Sequence, residues 1–384
     1  MRIYVCKLYK TIRLVNIMNP TISDISHDEE LLKFTLSGVN VSLANALRRT
    51  ILNDIPVLAF FTETYEDNQC TVHANTSRLH NEILKHRLSC IPIHMVELDV
   101  LPDNYVLEVD VTNDTDTMRI VTTEDFRIRN KSNDNYLTKN ELMKIFPPCP
   151  KTNMYIDFAR LRPKIGNTIP GEKLKLTAEF SVRTAGENNM FNVVSTCSYG
   201  NTIDLVKAKE VWEEHENRIR ADGSTADELD IQKRNFYLLD AHRQFKTDSF
   251  DFAIQSVGVY ENKDIVKKGC EALQKKAIDL IQMIDNDMVL IKTSETSMDF
   301  CYDIVLENED YTIGKVLEYI LYEKHFVEQK LLTFCGFKKM HPHDSDSIIR
   351  VAYDKVADKR MVAQNLREVC VMANDVFVAI HKLF

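Results

Sequence analysis

The chain is poor in glycine and proline, with ten of each among 384 residues, so the sequence does not predict long flexible linkers. It also lacks any run approaching the roughly 20 apolar residues that a membrane-spanning helix needs. Acidic residues outnumber basic ones, 57 to 48, and the net charge of −9 disfavours a protein whose main task is to grip nucleic acid. We therefore expect no membrane insertion and little or no direct contact with DNA.

Clustered cysteines and catalytic motifs are missing as well. The nine cysteines are dispersed, no two of them within four residues, so the CxxC pairs of zinc sites are absent and we expect reduced thiols in an intracellular compartment. No HExxH, P-loop, GxGxxG or GxSxG motif is found. His341 and His343 form an HxH pair without a supporting carboxylate cluster. We therefore predict no metal, no cofactor and no catalytic residue.

The most informative pattern that is present begins with a strand and a helix. Leu32, Phe34 and Leu36 alternate with polar residues, which predicts a half-buried strand. Ser42 is the expected N-cap of a helix that Pro56 prevents from continuing. The apolar positions of this helix are Leu43, Ala46, Leu47, Thr50 and Ile51.

The same pattern recurs near the C terminus. Alternating residues from Met298 to Leu306 predict a strand, and Thr312 is the expected N-cap of the next helix. The apolar positions of that helix are Ile313, Val316, Leu317, Ile320 and Leu321. Their offsets from the cap equal those in the first copy, which indicates an internal repeat.

Each copy is predicted to continue with two strands and a long helix. The strands are expected at 174–180 and 250–254 in the first copy, and at 331–337 and 348–353 in the second. Both long helices carry apolar residues spaced four and three apart, a seam that favours a partner helix. We predict two units related by a pseudo-twofold axis that bury their helices against each other. The alternative is that each helix covers only its own sheet.

Two segments interrupt the first copy. Residues 63–171 contain alternating stretches such as YVLEVDV and are long enough for an inserted, mostly β subdomain. Residues 201–248 are strongly charged and predict one or two surface helices around the ADGSTAD turn, with Trp212 covering its own surface. The first 17 residues carry four basic residues and no acid, and we expect residues 1–21 to be a dispensable extension.

The first repeated helix lies in a signature sequence. The segment SGVNVSLANALRRTILNDIPVLAF at 37–60 closely resembles the signature helix of the alpha-like subunits of RNA polymerases, with the NALRR core intact. This family comprises the bacterial alpha N-terminal domain, the archaeal D subunit and its eukaryotic counterpart. HRLSCIPI at 86–93 is similar to the second signature of the family, with Ser89 in place of a glycine.

The C-terminal hundred residues are similar to the smaller partner, the archaeal L subunit and its eukaryotic counterpart. NEDYTIGKVLEYIL resembles the acidic-His-Thr-Leu-Gly-Asn pattern of that family, from which Tyr311 and Lys315 depart. FCGFKKMHPHDSDSIIRV resembles its aromatic-Gly-Tyr, Pro-His and Ile-Arg pattern, with the Pro-His order changed. The two resemblances imply a D–L fusion in one chain, as in the RNA polymerases of large cytoplasmic DNA viruses. The zinc or iron–sulfur loop of some D subunits has no counterpart.

The resemblance implies an α+β fold of two pseudo-twofold-related alpha-type dimerisation modules with an inserted, mostly β subdomain. The D-like dimerisation domain would comprise residues 22–62 and 172–284, including the charged insertion at 201–248. The inserted subdomain would be 63–171, and the L-like dimerisation domain 285–384. Because both modules belong to one chain, no homodimer is required.

The implied function is that of a non-catalytic assembly scaffold in a DNA-dependent RNA polymerase, whose RNA synthesis belongs to the two large subunits. The D-like half would dock the second-largest subunit and small accessory subunits, and the L-like half the largest subunit. The location would be intracellular, in the host cytoplasm or the virion for a viral chain, with the nucleus also open. The alternative is a free-standing protein-interaction adapter, against which both intact signatures argue.

Two groups of residues are singled out. The internal dimer interface is predicted to consist of Leu43, Leu47, Ile51, Ile313, Leu317, Ile320 and Leu321. The large-subunit contact is assigned by resemblance to Asn45, Arg48, Arg49, His86 and Arg87. We expect both helical arginines to lie on the side opposite Leu47 and Ile51. Without the resemblance, they would be interpreted as solvated surface charges.

Overall fold

The computed structural model describes residues 19–28, 30–166, 168–221, 225–295 and 298–384. Residues 1–18 of the extension expected at 1–21 therefore lie outside the described residues. The chain divides into two compact units. The first unit runs to Ile51 and also contains Thr196–Gln255 and Asn262–Phe384, and the second unit consists of Leu52–Ser195 and Ser256–Glu261. The segment at 63–171 lies within the second unit.

The structure mixes helices with antiparallel strands. The strands are β1 Thr21–Asp28, β2 Leu31–Ser37, β3 Val57–Ala59, β4 Cys70–Asn75, β5 Tyr105–Thr112, β6 Arg119–Thr122, β7 Arg127–Asn130, β8 Asp157–Leu161, β9 Lys173–Glu179, β10 Ser181–Arg183, β11 Val194–Ile203, β12 Phe245–Ser256, β13 Ile291–Thr293, β14 Cys301–Leu306, β15 Leu332–Lys338 and β16 Ser347–Tyr353. The α-helices are α1 Val41–Asn53, α2 Asn81–Ser89, α3 Lys139–Ile145, α4 Leu205–Ala221, α5 Ala226–Leu238, α6 Asn262–Asp285, α7 Tyr311–Leu321 and α8 Lys359–His381. None of these described helices is long and apolar enough to cross a membrane.

The first unit contains two four-stranded sheets. Their strand orders are β1-β2-β12-β11 and β13-β14-β16-β15, so each sheet places its strands in the order first, second, fourth, third along the chain. In each sheet a helix of 11 to 13 residues follows the second strand and a helix of 23 or 24 residues follows the fourth. We call β1, β2, α1, β11, β12 and α6 the first half, and β13 to α8 the second half.

The strand predictions at the centres of these sheets are confirmed. Leu32, Phe34 and Leu36 are fully or almost fully buried in β2, and Phe34 lies opposite Phe252 of β12 with the rings stacked at 5.1 Å between centroids. In the second sheet, Asp303 of β14 lies opposite Arg350 of β16. The strand predicted from Met298 was too long, because β14 begins only at Cys301 and Phe300 before it is 40% exposed.

One strand was predicted in the wrong sheet. The strand at 174–180 is β9, which pairs with β4 and β5 in the second unit. The third strand of the first sheet is instead β11, whose largely exposed polar residues give no alternating apolar pattern. The alternation in β9 identifies a half-buried strand, but it does not identify the partner strand.

The two long helices pack against each other in antiparallel orientation. Asp285 at the end of α6 accepts hydrogen bonds from Arg367 near the start of α8 at 2.7 and 3.1 Å, and Glu271 lies 3.2 Å from His381 at the other end. Both helices bury residues along a stripe of four- and three-residue spacing. The apolar seams of the sequence thus mark helices that pack on each other.

The N-caps lie two residues before the predicted positions in both halves. Asn40 accepts a hydrogen bond from the Ser42 amide at 2.9 Å ahead of α1, and Asp310 accepts one from the Thr312 amide at 2.8 Å ahead of α7. Ser42 and Thr312 were wrong as caps because the helices begin one residue before them, at Val41 and Tyr311, so that Asn40 and Asp310 occupy the capping positions.

The second unit is built on the sheet β4-β9-β5-β7 and the strand pairs β6-β8 and β3-β10. Its core includes Phe60, Phe126 and Phe158, and the rings of Phe126 and Phe158 meet edge to face at 5.4 Å. Tyr260, which belongs to this unit, donates a hydrogen bond to the Pro56 carbonyl at 2.8 Å.

The charged segment at 201–248 contains two helices, as predicted, between the end of β11 and the start of β12, and we call them the hairpin α4–α5. The predicted ADGSTAD turn includes residues 222–224, which lie outside the described residues. Trp212 does not cover an outer surface, because its side chain is only 3% exposed and packs on Phe236 at 5.4 Å between centroids. Ala208, Ile219 and Ala241 complete a small core that the sequence analysis missed.

Candidate functional site

The apolar face of α1 is fully buried in the first unit. Leu43, Leu47 and Ile51 are 0% exposed. A Cβ atom built on Gly269 of α6 would lie 2.8 Å from Ile51 Cγ1 and 3.4 Å from Leu47 Cδ1. The helix α1 therefore packs against α6 of its own half, and the absence of a side chain at Gly269 permits the close approach.

The matching face of α7 is buried as well. Ile313, Leu317, Ile320 and Leu321 are at most 2% exposed. This helix packs on α8 and on strands β15 and β16 of its own half. The burial is what the predicted internal interface requires, and the direct facing of the two stripes stays a prediction.

Arg49 contacts the second half of the chain. Its Nε donates a hydrogen bond to Thr312 Oγ1 at 2.9 Å, and its Nη2 lies 2.5 Å from Asp310 Oδ2. The expectation that Arg49 points away from the seam is therefore wrong. The buried face of α1 also includes Ala44, Ala46 and Thr50, so it spans about half of the helix circumference at about 100° per residue, and Arg49 lies at its border.

Asp310 serves two donors at once. Oδ1 caps α7 by accepting the Thr312 amide, and Oδ2 accepts Arg49. Burial raises the pKa of Asp310, but hydrogen bonds from Thr312 and the charges of Arg49 and Lys276 outweigh it and hold that pKa below its ordinary value. The carboxylate is therefore charged at neutral pH.

Arg48 lies on the other border of the buried face. Its Nε and Nη2 donate hydrogen bonds to Asn45 Oδ1 of the same helix at 3.1 and 2.9 Å. Both side chains are partly exposed. Arg48 and Asn45 thus remain open to an external partner, and their contact with a large subunit stays a prediction.

The second signature is the helix α2 and the turn after it, in the second unit. Arg87 donates hydrogen bonds to the carbonyl oxygens of Phe158 at 2.8 Å and Asp157 at 2.6 Å, so part of its guanidinium anchors β8. Ser89 is buried, and its hydroxyl lies 2.7 Å from that of Thr62. His86 is exposed. The large-subunit contact of His86 and Arg87 stays a prediction.

Two grooves of the second unit border this signature. His86, Glu82 and Lys85 line a groove of about 640 Å³. Arg87, Arg78, Arg160, Arg162 and Asp157 line another of about 460 Å³, whose remaining lining is mainly apolar.

Three buried cysteines are poorly suited to act as nucleophiles. Burial raises the pKa of Cys70 to about 11 and those of Cys197 and Cys370 to about 12, so these thiols stay protonated at neutral pH and are poor nucleophiles. Across the described ranges, no three His, Cys, Asp or Glu side chains group closely enough to hold a metal ion, and His341 and His343 lack a third ligand.

Comparison with known proteins identifies the family of the chain. Residues 33–277, well over half of the chain, match the RNA polymerase Rpb3/Rpb11 dimerisation domain. The chain belongs to this family. The matched range contains most of β2, all of α1 with its NALRR sequence, and most of α6.

Individual relatives in the Rpb3/Rpb11 family agree with this. The chain is 25% identical over 289 residues to the DNA-directed RNA polymerase subunit Rpo3 of Methanosphaera stadtmanae, covering 68% of this chain and 97% of that protein. It is 40% identical over 88 residues to Rpo3 of Pyrococcus furiosus, covering 22% of this chain and 31% of that protein. It is 40% identical over 72 residues to the human subunit RPAC1 of RNA polymerases I and III, covering 18% and 19% of the two chains.

Sequence analysis missed the acidic partners of α1, the Rpb3/Rpb11 signature helix, and of α6. Asp310 binds Arg49, and Glu309 lies 3.2 Å from Lys276 of α6. The available signal was the pair of acidic residues directly before the second repeated helix, where the first copy has Val39 and Asn40.

Proposed function

We propose that the chain is a non-catalytic assembly subunit of a multisubunit DNA-dependent RNA polymerase and that it carries both partners of a dimerisation pair. The observation that supports this most is the common strand order of the two sheets in the first unit. In each sheet a short helix follows the second strand and a long helix follows the fourth. The first half carries the family signature. The first half then acts as the D-like module and the second half as the L-like module.

The pairing of the two modules has a physical basis in their helices. The long helices α6 and α8 bury apolar stripes against each other, the ion pair of Asp285 and Arg367 joins them, and His381 lies 3.2 Å from Glu271. Burial of each large apolar side chain contributes about 1.5–3 kcal/mol, so a seam of this length outweighs the cost of ordering the pair. In the proposal, a pseudo-twofold axis relates the modules and their union forms a rigid platform.

The platform would dock the two large subunits. Asn45 and Arg48 on α1, with His86 and Arg87 on α2, are the candidate contacts for the second-largest subunit, and Arg49 would contribute its remaining guanidinium surface. Guanidinium groups suit this role because they hold carboxylates or carbonyl oxygens in fixed geometry. The largest subunit would bind the L-like half, and small accessory subunits the D-like half.

The proposed fusion of the two modules also bears on the source of the chain. Its resemblance to the joined D–L subunits of large cytoplasmic DNA viruses favours a viral chain that works in the host cytoplasm or is packaged in the virion.

Native affinity purification tests the function. The tagged full chain should recover two large polymerase subunits from its source, identified by mass spectrometry. Arg48→Ala should reduce recovery of the second-largest subunit, whereas the matched control Ile231→Ala, at an exposed position of α5, should not. A monodisperse monomer that recovers neither large subunit would contradict the proposal and favour the free-standing adapter.

A further inference from the structure

The contact between the segment before α7 and the helices α1 and α6 is one-sided in charge. Arg49 and Lys276 belong to the first half, and they bind Asp310 and Glu309, which precede α7 in the second half. The side chains of Arg49 and Asp310 are 29% and 38% exposed, so water screens this pair only in part.

The repeat shows that the reverse contact does not exist. At the same offsets from the cap, the first half has Val39 and Asn40 in place of Glu309 and Asp310, and the second half has Tyr319 in place of Arg49. The Tyr319 hydroxyl is buried and has no hydrogen-bond partner among the described residues. Neither copy of the repeat therefore carries both members of the ion pair.

This asymmetry distinguishes the possible pairings of the halves. If two first halves paired across chains in the same geometry, Arg49 of each would meet the neutral Asn40 of the other. If two second halves paired, Tyr319 would meet Asp310. At these positions, only the pairing of a first half with a second half brings opposite charges together.

We infer that Arg49 and Asp310 are specificity-determining residues that make the unlike halves pair with each other in preference to like halves of separate chains. Closure within one chain is favoured by the fusion, but the fusion alone does not prevent like halves from pairing between two chains. Repulsion is not needed for this choice, because the like pairs simply leave Arg49 without a carboxylate. This inference rests on the two-module arrangement proposed above.

The neutral cap of α1 offers a test that preserves both helices. Asn and Asp are nearly equivalent N-caps, so exchanging them leaves the caps in place and moves only the negative charge. The double variant Asn40→Asp with Asp310→Asn keeps the net charge of the chain. It removes the ion pair from the unlike pairing and places two such pairs in the pairing of first halves.

The readout is sedimentation velocity of the purified full chain over a range of concentrations. We expect the exchanged variant to have a larger dimer association constant than the unaltered chain, by about two- to fivefold for each ion pair gained, and adding Arg49→Gln should remove this increase. Asp310→Asn alone should lower the midpoint of urea unfolding, and adding Arg49→Gln to it should lower the midpoint by less than Arg49→Gln alone does. Arg234→Gln, at an exposed position of α5, is the control and should change neither quantity.

An exchanged variant that stays monomeric at every concentration would overturn the inference, as would additive effects of Arg49→Gln and Asp310→Asn on unfolding. This failure is distinguishable from failure of the proposed function, because the sedimentation experiment contains no polymerase subunit and the purification experiment uses the unaltered cap residues.

Discussion

The ring of Phe337 in β15 lies directly over Gly314 in α7. A Cβ atom at position 314 would lie 2.0 Å from Phe337 Cε2. Lys315 lies at 5.9 Å from the centroid of the same ring, and Glu318 accepts a hydrogen bond from the Phe337 amide at 3.1 Å. Strand β15 therefore packs on the turn of α7 around Gly314.

Gly314→Ala should destabilise the chain although alanine favours helices. The new methyl group would have to displace the Phe337 ring, and overpacking of this kind costs about 1–3 kcal/mol. Urea unfolding followed by circular dichroism would measure the change in free energy of unfolding. Gly200→Ala, whose Cβ would meet nothing within 4 Å, is the matched control. Equal effects of the two substitutions would show that the Phe337 ring moves freely.

Leu47→Asp should unfold or aggregate the protein. Leu47 is fully buried against α6, and an unpaired carboxylate there would have no compensating partner. The control is Val41→Asp in the same helix, at a position that is 47% exposed and at the N-terminal end, where an acid is tolerated. Soluble yield and the circular dichroism spectrum distinguish the two variants. A folded, monomeric Leu47→Asp chain would be incompatible with the observed packing of α1.

A strand or helix of this fold could be predicted from the sequence where its apolar residues recur at regular spacing. Leu32, Phe34 and Leu36 in β2 and the stripe of α1 were predictable because one face of each element is buried along its whole length. The strands β1 and β11 were not, because they are mostly exposed and carry no alternating apolar pattern.

The candidate site was likewise predictable only where a local pattern of apolar residues exists. The apolar positions of α1 and α7 follow from local spacing, whereas the partner of Arg49 lies far away in the sequence. A carboxylate at Asp310 is equally consistent with a simple helix cap, which it also is. Non-local pairing of charged groups leaves no periodic signal, so only the structure reveals that the signature arginine connects the two halves.

The cross-strand pair of Asp303 and Arg350 predicts a pH dependence of stability. The hydrogen bonds from Arg350, at 2.6 and 2.7 Å, hold the pKa of Asp303 below its ordinary value. In the unfolded chain this pKa returns to about 3.9, so the unfolded state binds more protons at low pH. The stabilisation is thus fully present above that value and is lost as the pH falls below about 4.

Asp303→Asn should reveal this dependence. At pH 7 the variant should be less stable than the unaltered chain by about 1–3 kcal/mol, because a charge-assisted pair is lost. The difference should shrink as the pH is lowered towards 3, since the unaltered chain then loses the same interaction. Urea unfolding at a series of pH values measures this difference. A difference that stays constant from pH 7 to pH 3 would show that the carboxylate does not stabilise the sheet.

The hairpin α4–α5 should report its own unfolding through fluorescence. Trp212 is the single tryptophan of the chain and is almost fully buried in the small core of the hairpin, so its emission senses this region alone. Phe236→Ala removes a ring that packs on Trp212 and should cost about 3–5 kcal/mol locally. The emission should then shift to longer wavelength, and its unfolding midpoint should fall below that of the circular dichroism signal.

Leu238→Ala, at a position 64% exposed on the same helix, should leave both midpoints unchanged. If fluorescence and circular dichroism instead fall together in Phe236→Ala, the hairpin unfolds cooperatively with the sheets and its five-residue core is not an independent folding unit.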